Sequence, residues 1–311
     1  MKLKFSKDLA ELSDFRLVPV STNPQESLKS AVQSLDTRNV NISVNGSSAI
    51  IRYVNFPKMT RDELKKSLKF EAQKHIPFSV GDVNLDAVIL KPDLPDNKML
   101  VSVAAVKKDF LAARLKLAKG ADLTVDIVDV DSLALVNAFN FSISAAESNK
   151  LKSIALLNIG ASYSNLSILE NSVPMLARDI NIAGNNFTQK IADSLGVDFK
   201  AAEAIKMNPD KERITKITQS ADSVLSNLAT EIRVSFDYYE SERASSVTKI
   251  FLSGGGGQFL GLKDALASLL GIEVENWDPL GKIATAPGAD SAKLKALSSQ
   301  LAVATGLALR L

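Results

Sequence analysis

Three short stretches carry the residue types that could do chemistry. They are Ala155-Leu156-Leu157-Asn158-Ile159-Gly160-Ala161-Ser162, Arg178-Asp179-Ile180-Asn181-Ile182-Ala183-Gly184 and Leu252-Ser253-Gly254-Gly255-Gly256-Gly257. In each, a β-type run empties into small residues or glycine, a pattern that lets backbone N–H groups close around an anion, so together they suggest a nucleotide-sized cleft. Each also has a plainer reading. A glycine run between strand and helix is a tight connection wherever glycine supplies φ above zero. Asn158 either gives a neutral oxygen to magnesium or to a metal-bound water, or bonds a neighbouring loop. Asp129 and Asp131 form a carboxylate pair for acid–base work, or Asp131 caps the helix through Leu133 and Leu135. His75, beside Ile76-Pro77, reads as a residue at a helix C-terminus, and Lys65, Lys66, Lys69 and Lys74 as a solvated helix face.

Composition narrows the classes. With 311 residues, 46% of them hydrophobic, the chain can bury a core large enough for two domains or several subdomains. Its 37 basic and 35 acidic residues leave a formal charge of +2, so no global field recruits nucleic acid or acidic lipid. There is no cysteine and one histidine, which excludes disulfides, thiolate metal sites and thiol catalysis and makes a histidine metal cluster implausible. No stretch has signal-peptide or bilayer-spanning character, and the segment from Ala296 to Leu311 reads as a buried closing helix. A soluble, cytoplasmic protein is expected.

The elements that must position these residues alternate between strand and helix. Helical spacing through Leu28, Val32 and Leu35 precedes two β-type runs, Val40 to Val44 and Ala49 to Phe56, which the Asn45-Gly46 pair predicts to be a hairpin. Thr60 with Glu63 is a capping box opening a helix from Arg61 to about His75. Strands at Val83 to Leu90 and Met99 to Val106, around a Pro-Asp-Asn loop, lead to a helix from Lys108 to Lys119 and a strand from Leu123 to Val130. From Lys152 the pattern restarts with three strands. The longest helix is expected between Lys211 and Glu242, on the stripe Ile214, Ile217, Ala221, Val224, Leu228, Ile232 and Phe236. The strand Val247 to Leu252, the glycines and further helices follow.

At this point the order of segments resembles the PilM group of type IV pilus assembly proteins, members of the actin-like ATPase fold that includes FtsA. The matching residues are Phe56-Pro57, Phe70-Glu71-Ala72 and Ile76-Pro77-Phe78; Val125 to Asp131 with Ala134-Leu135; Asn158-Ile159-Gly160-Ala161; Arg178-Asp179-Ile180 with Gly184 and Thr188; Ala202-Glu203 with Lys206; Glu231-Ile232; Ser253-Gly254-Gly255; and Asp278-Pro279.

The resemblance implies an α/β, two-lobed, RNase-H-like fold with an inserted α+β subdomain. Residues 1–38 and 123–151 would form an incomplete first lobe, residues 39–122 the insert, and residues 152–311 the second lobe, with a helical subdomain at about 196–245. It implies ATP with Mg2+ as cofactor. Gly160, Ala161 and Ser162 would meet the phosphates, Gly254, Gly255 and Gly256 the base and ribose, and Gly184, Glu203 and Lys206 would complete the site. Asn158 would reach the metal through water.

Two departures weaken that site. Asn158 stands where the fold usually has an aspartate, and residues 1–38 contain no Asp-x-Gly phosphate hairpin, indeed no glycine. Efficient hydrolysis is therefore not expected. Either the chain is a degenerate nucleotide binder, or an N-terminal segment is missing from it. By the resemblance, the partner is the cytoplasmic N-terminal peptide of a PilN-like inner-membrane protein. The peptide would bind beside the insert, between its exposed strand edge and the helix from Arg61 to His75, and would be the chain's link to the membrane. Self-association remains open. The alternatives are an actin-like ATPase or kinase, an FtsA-like filament protein, and a type II secretion cytoplasmic assembly module.

Overall fold

The computed structural model describes residues 1–6, 9–33, 35, 37–144, 147, 151–286 and 291–310. The chain divides into two compact units: Met1–Ala138 with Lys282–Ser291 and Val303–Leu311, and Phe139–Gly281 with Ala292–Ala302.

The first unit begins with β1 (Lys2–Ser6) and β2 (Leu9–Asp14), an antiparallel pair in which Leu3 faces Leu12 and Phe5 faces Ala10. Helix α1 (Pro24–Val32) starts at Asn23, whose side chain accepts from the Glu26 N–H, and buries Val32 against Ala118, Ala121 and Leu123. The strand β3 (Asn39–Val44) and the strand β4 (Ala49–Pro57) are not a hairpin, against the expectation from Asn45-Gly46. Instead β3 runs parallel to β7 (Thr124–Val130), while β4 pairs with β6 (Lys98–Lys107). A short 3-10 turn, with Gly46 at φ 75°, redirects the chain from one sheet to the other.

The sheet that receives β4 has the antiparallel order β4-β6-β5, with β5 at Val83–Leu94. β5 runs four residues beyond the Leu90 of the sequence reading, because the turn needs only Pro95–Asn97, where Asp96 and Asn97 take φ of 59° and 54°. Helix α2 (Arg61–Ala72) covers one face of this sheet. Its capping box is complete, with Thr60 Oγ1 accepting from the Glu63 N–H and the Glu63 carboxylate accepting from the Thr60 N–H. Leu64, Leu68 and Ala72, spaced by four, bury against Phe56, Met99, Val101 and Val103. Each large side chain buried there is worth about 1.5–3 kcal/mol. Helix α3 (Lys108–Gly120) leads to β7, and α4 (Asp131–Ser142) follows.

The second unit is built on one five-stranded sheet of order β10-β9-β8-β11-β12. Strands β8 (Ser153–Ile159), β9 (Ser164–Glu170) and β10 (Val173–Ile180) form an antiparallel meander, and all seven residues of β8 are buried. Helices α5 (Gly184–Leu195), α6 (Phe199–Met207) and α7 (Ile214–Arg243) come next, and α7 buries the predicted stripe from Ile217 to Phe236. Then β11 (Lys249–Ser253) lies parallel to β8, α8 (Leu262–Leu270) crosses over, and β12 (Glu273–Asn276) lies parallel to β11. The strand order reverses between β8 and β11, so the loops leaving their carboxyl ends meet, which is where ligands bind in open α/β sheets. The closing residues are α9 (Ser291–Leu297), a 3-10 turn (Ser298–Leu301) and α10 (Ala302–Ala308), of which Val303–Leu311 groups with the first unit.

Candidate functional site

In the second unit the loops after β8 and β11 pack backbone against backbone. A Cβ added at Gly254, whose φ is +87°, would lie 2.3 Å from the Ile159 carbonyl oxygen, and one at Gly256 would lie 2.5 Å from Ile159 Cγ2. These two glycines are required by the approach of one loop to the other. Gly255 differs, since its Cβ would meet only the flexible Gln300 side chain, at 3.3 Å.

Gly160, Ala161 and Gly184 are brought together by two hydrogen bonds, Gly184 N–H to the Gly160 carbonyl at 2.9 Å and Asn185 N–H to the Ala161 carbonyl at 2.8 Å. The Gly160 N–H donates to Tyr163 O at 3.0 Å. That donor closes the turn on itself. Ser162 is exposed, with its hydroxyl 3.4 Å from Asn185 Nδ2.

A cleft of about 100 Å³ is lined by Gly184, Phe187, Lys206, Gly255, Gly256 and Phe259, among others. Four of the sequence-predicted residues therefore share one depression. The rings of Phe187 and Phe259, which the sequence reading did not single out, stack 4.8 Å apart at its side. The Lys206 ammonium is held by Gly184 O at 3.2 Å, Thr188 Oγ1 at 2.7 Å and the Glu203 carboxylate at 2.7 Å. Three acceptors match its three protons. Glu203 also accepts from Thr188 Oγ1 at 2.5 Å, so Glu203 acts on Lys206 and Thr188.

Asn158 lies in none of this lining. It belongs to a ladder that crosses four neighbouring strands in register: Ser253 opposite Asn158, Asn158 opposite Asn165, and Asn165 opposite Asp179. Ser253 Oγ donates to Asn158 Oδ1 at 3.2 Å, Asn158 Nδ2 to Asn165 Oδ1 at 3.2 Å, and Asn165 Nδ2 to Asp179 Oδ1 at 2.6 Å. An ionised carboxylate only accepts, so Asp179 fixes the direction of every amide in the row. Asparagine at 158 is then required as both donor and acceptor.

These donors do not fit a magnesium triphosphate. Both polar atoms of Asn158 are engaged, the Lys206 protons are engaged, and among the described residues no group of three His, Cys, Asp or Glu side chains gathers to hold a metal ion. The cleft's stacked rings and glycines suit the flat face of a base instead, although about 100 Å³ is small beside the roughly 300–1,000 Å³ of usual ligand pockets.

The first unit holds a larger groove, of about 170 Å³, between the outer edges of β5 and β7. Its walls include Val44, Asn84, Asp86, Val88, Ser102, Ala104, Val106, Leu111, Val128 and Leu133. Helix α2 contributes no lining residue. It covers the sheet face of Val101 and Val103, while the groove takes the face of Ser102, Ala104 and Val106, so the helix expected as a groove wall is on the other side. Ile76 is core, Phe78 packs partly against it, and Phe70 is 68% exposed.

Asp129 and Arg310 close one end of this groove, with Arg310 Nε 3.0 Å from Asp129 Oδ2. The Asp129 carboxyl is 3% exposed, and burial pushes its pKa up against the opposing pull of the Val130 N–H and the Arg310 guanidinium. Tyr53 has a buried hydroxyl, and burial together with the Asp129 charge pushes its pKa up as well. Asp131, in the first turn of α4, accepts from Asn45 Nδ2 at 2.5 Å.

A solved PilM–PilN type IV pilus biogenesis complex is 26% identical and superimposes with a TM-score of 0.83 over 99% of this chain and 94% of that one. The ethanolamine utilization protein EutJ of Carboxydothermus hydrogenoformans is 18% identical, with a TM-score of 0.46 over 66% of this chain and 61% of that one. MreB5 of Spiroplasma citri, solved with AMPPNP, is 14% identical, with a TM-score of 0.44 over 65% and 63%. The family model described as type IV pilus assembly protein PilM matches residues 21–311, so this chain belongs to the PilM family.

Proposed function

We propose that the chain is a scaffold of the type IV pilus assembly platform on the cytoplasmic side of the inner membrane. It captures the N-terminal cytoplasmic peptide of a PilN-like membrane protein, and nucleotide is a secondary ligand that is not efficiently hydrolysed. The observation that carries the reading is the groove between β5 and β7. Two unpaired strand edges face an apolar floor, an arrangement that receives an extended peptide through its backbone while pockets sort its side chains. The likeness to a solved PilM–PilN complex supports the choice of partner.

The second unit supports the rest of the reading. Its donors are spent internally, so the base of a nucleotide finds a seat there while its phosphates and magnesium do not. Such a ligand biases conformation and does no phosphoryl transfer.

The test is calorimetric titration of the folded chain with the N-terminal peptide of its PilN-like partner. Binding is expected, and Val128→Lys, which puts a charge on the half-open lining, should weaken it at least tenfold while the circular dichroism spectrum stays unchanged. Equal affinity for the wild type and the variant would rule the groove out.

A further inference from the structure

We propose that the outer face of α2 is a docking surface for an anionic lipid bilayer. Two adjacent rows run down this helix and into the turn that ends it, at intervals of four: Lys65, Lys69 and Gln73, and Lys66, Phe70 and Lys74. All six residues are exposed. Lys65, Lys66 and Lys69 enter no ion pair among the described residues, and Lys74 is paired only with Glu71, at 3.0 Å. The acidic residues of the first turn, Asp62 four before and Glu63 three before, partly offset Lys66, while Lys65 and Lys69 carry the field.

An aromatic ring sits within this basic surface. Phe70 is 68% exposed, and the Lys74 ammonium lies 4.7 Å from its centroid. Beyond the end of the helix the pattern recurs, with Lys107 lying 5.2 Å from the half-buried Phe78 ring. A phenyl group left in water beside a flexible ammonium has the chemistry of an interfacial anchor, in which the ring enters the headgroup boundary and the lysine stays with the phosphates.

A smooth polyanionic surface asks only for charge and one apolar wedge. Among the described residues no helix is long and apolar enough to cross a membrane. Because α2 and the peptide groove occupy opposite faces of the β4-β6-β5 sheet, lipid contact leaves the groove open. The inference does not depend on the peptide reading.

The experiment is co-sedimentation of the full chain, without any peptide, with vesicles of phosphatidylglycerol and of phosphatidylcholine. Phosphatidylglycerol vesicles should carry the chain down at low salt and release it at about 0.5 M salt, and phosphatidylcholine vesicles should not bind it. Lysines near such a surface contribute about fivefold each, so Lys65→Glu with Lys69→Glu should lower the partition at least tenfold. Phe70→Ser should lower it severalfold without altering its salt dependence. Failure to sediment with phosphatidylglycerol, or equal sedimentation of the charge-reversed chain, would overturn the proposal. So would binding to polyglutamate without binding to vesicles, which would assign the surface to an acidic protein.

Discussion

Asn158 shows how one side chain's hydrogen-bonding sense can be imposed from two strands away. Asp179 can only accept, Asn165 must therefore donate to it, and Asn158 must donate to Asn165. Asn158→Asp places two acceptors face to face in a buried position and should cost about 1–3 kcal/mol in denaturant unfolding. Adding Asp179→Asn allows the row to reverse and should restore part of the loss, a coupling that a double-mutant cycle would detect and that additive losses would refute. Asp129 makes a second prediction. Its folded pKa is raised, so its contribution is fully present below the ordinary aspartate range and is lost as pH rises through the raised value. The melting temperature of the wild type should therefore fall relative to that of Asp129→Asn between about pH 4 and pH 7. Parallel curves for the two proteins would refute it.

At the scale of elements, helix packing depends on one contact that no substitution can share. A Cβ at Gly306, in α10, would lie 1.7 Å from the carbonyl oxygen of Ala134 in α4. Gly306→Ala should destabilise the chain by about 1–3 kcal/mol, measured as a shift of the denaturant midpoint at constant slope. The elements most legible in the sequence were those whose signals are local. The Thr60–Glu63 box and the stripe of α7 need only their own neighbours to be read. Asn45-Gly46 misled because a turn signal cannot report that β3 will find its partner elsewhere, with Asn39 bonded to Asp126, 87 residues on. The hairpin of β1 and β2 escaped notice, since its alternation rests on only a few apolar residues. The glycine clusters were visible for the same local reason. The purpose of Gly254 and Gly256 was not, because it lies in the approach of Ile159, by its backbone to Gly254 and by its side chain to Gly256. Phe187, Phe259 and Arg310 gave no signal at all, being joined to their sites only by the fold.

For the whole molecule, the expectation concerns what nucleotide does. Titration with ATP should give the same affinity with and without magnesium, because the atoms that would arrange a hydrated ion are bonded to one another. Gly255→Asp tests the cleft itself. Its Cβ meets only the Gln300 side chain, so the fold should survive while a carboxylate beside the base lowers nucleotide affinity at least tenfold, read by calorimetry against an unchanged circular dichroism spectrum. A magnesium-dependent affinity, or an unaffected variant, would move the nucleotide elsewhere.

The tie between β3 and the closing segment has a kinetic consequence. Asn41 Nδ2 donates to the carbonyls of Leu307 and Arg310, 266 and 269 residues away, next to the Arg310 that neutralises Asp129. Contacts that close so long a loop form after the local ones during refolding. The β4-β6-β5 sheet and its helix can therefore be complete while the groove still holds an uncompensated carboxylate. In a refolding experiment, recovery of peptide affinity should lag behind recovery of helical signal, and the length of that lag times the arrival of the chain's last turn.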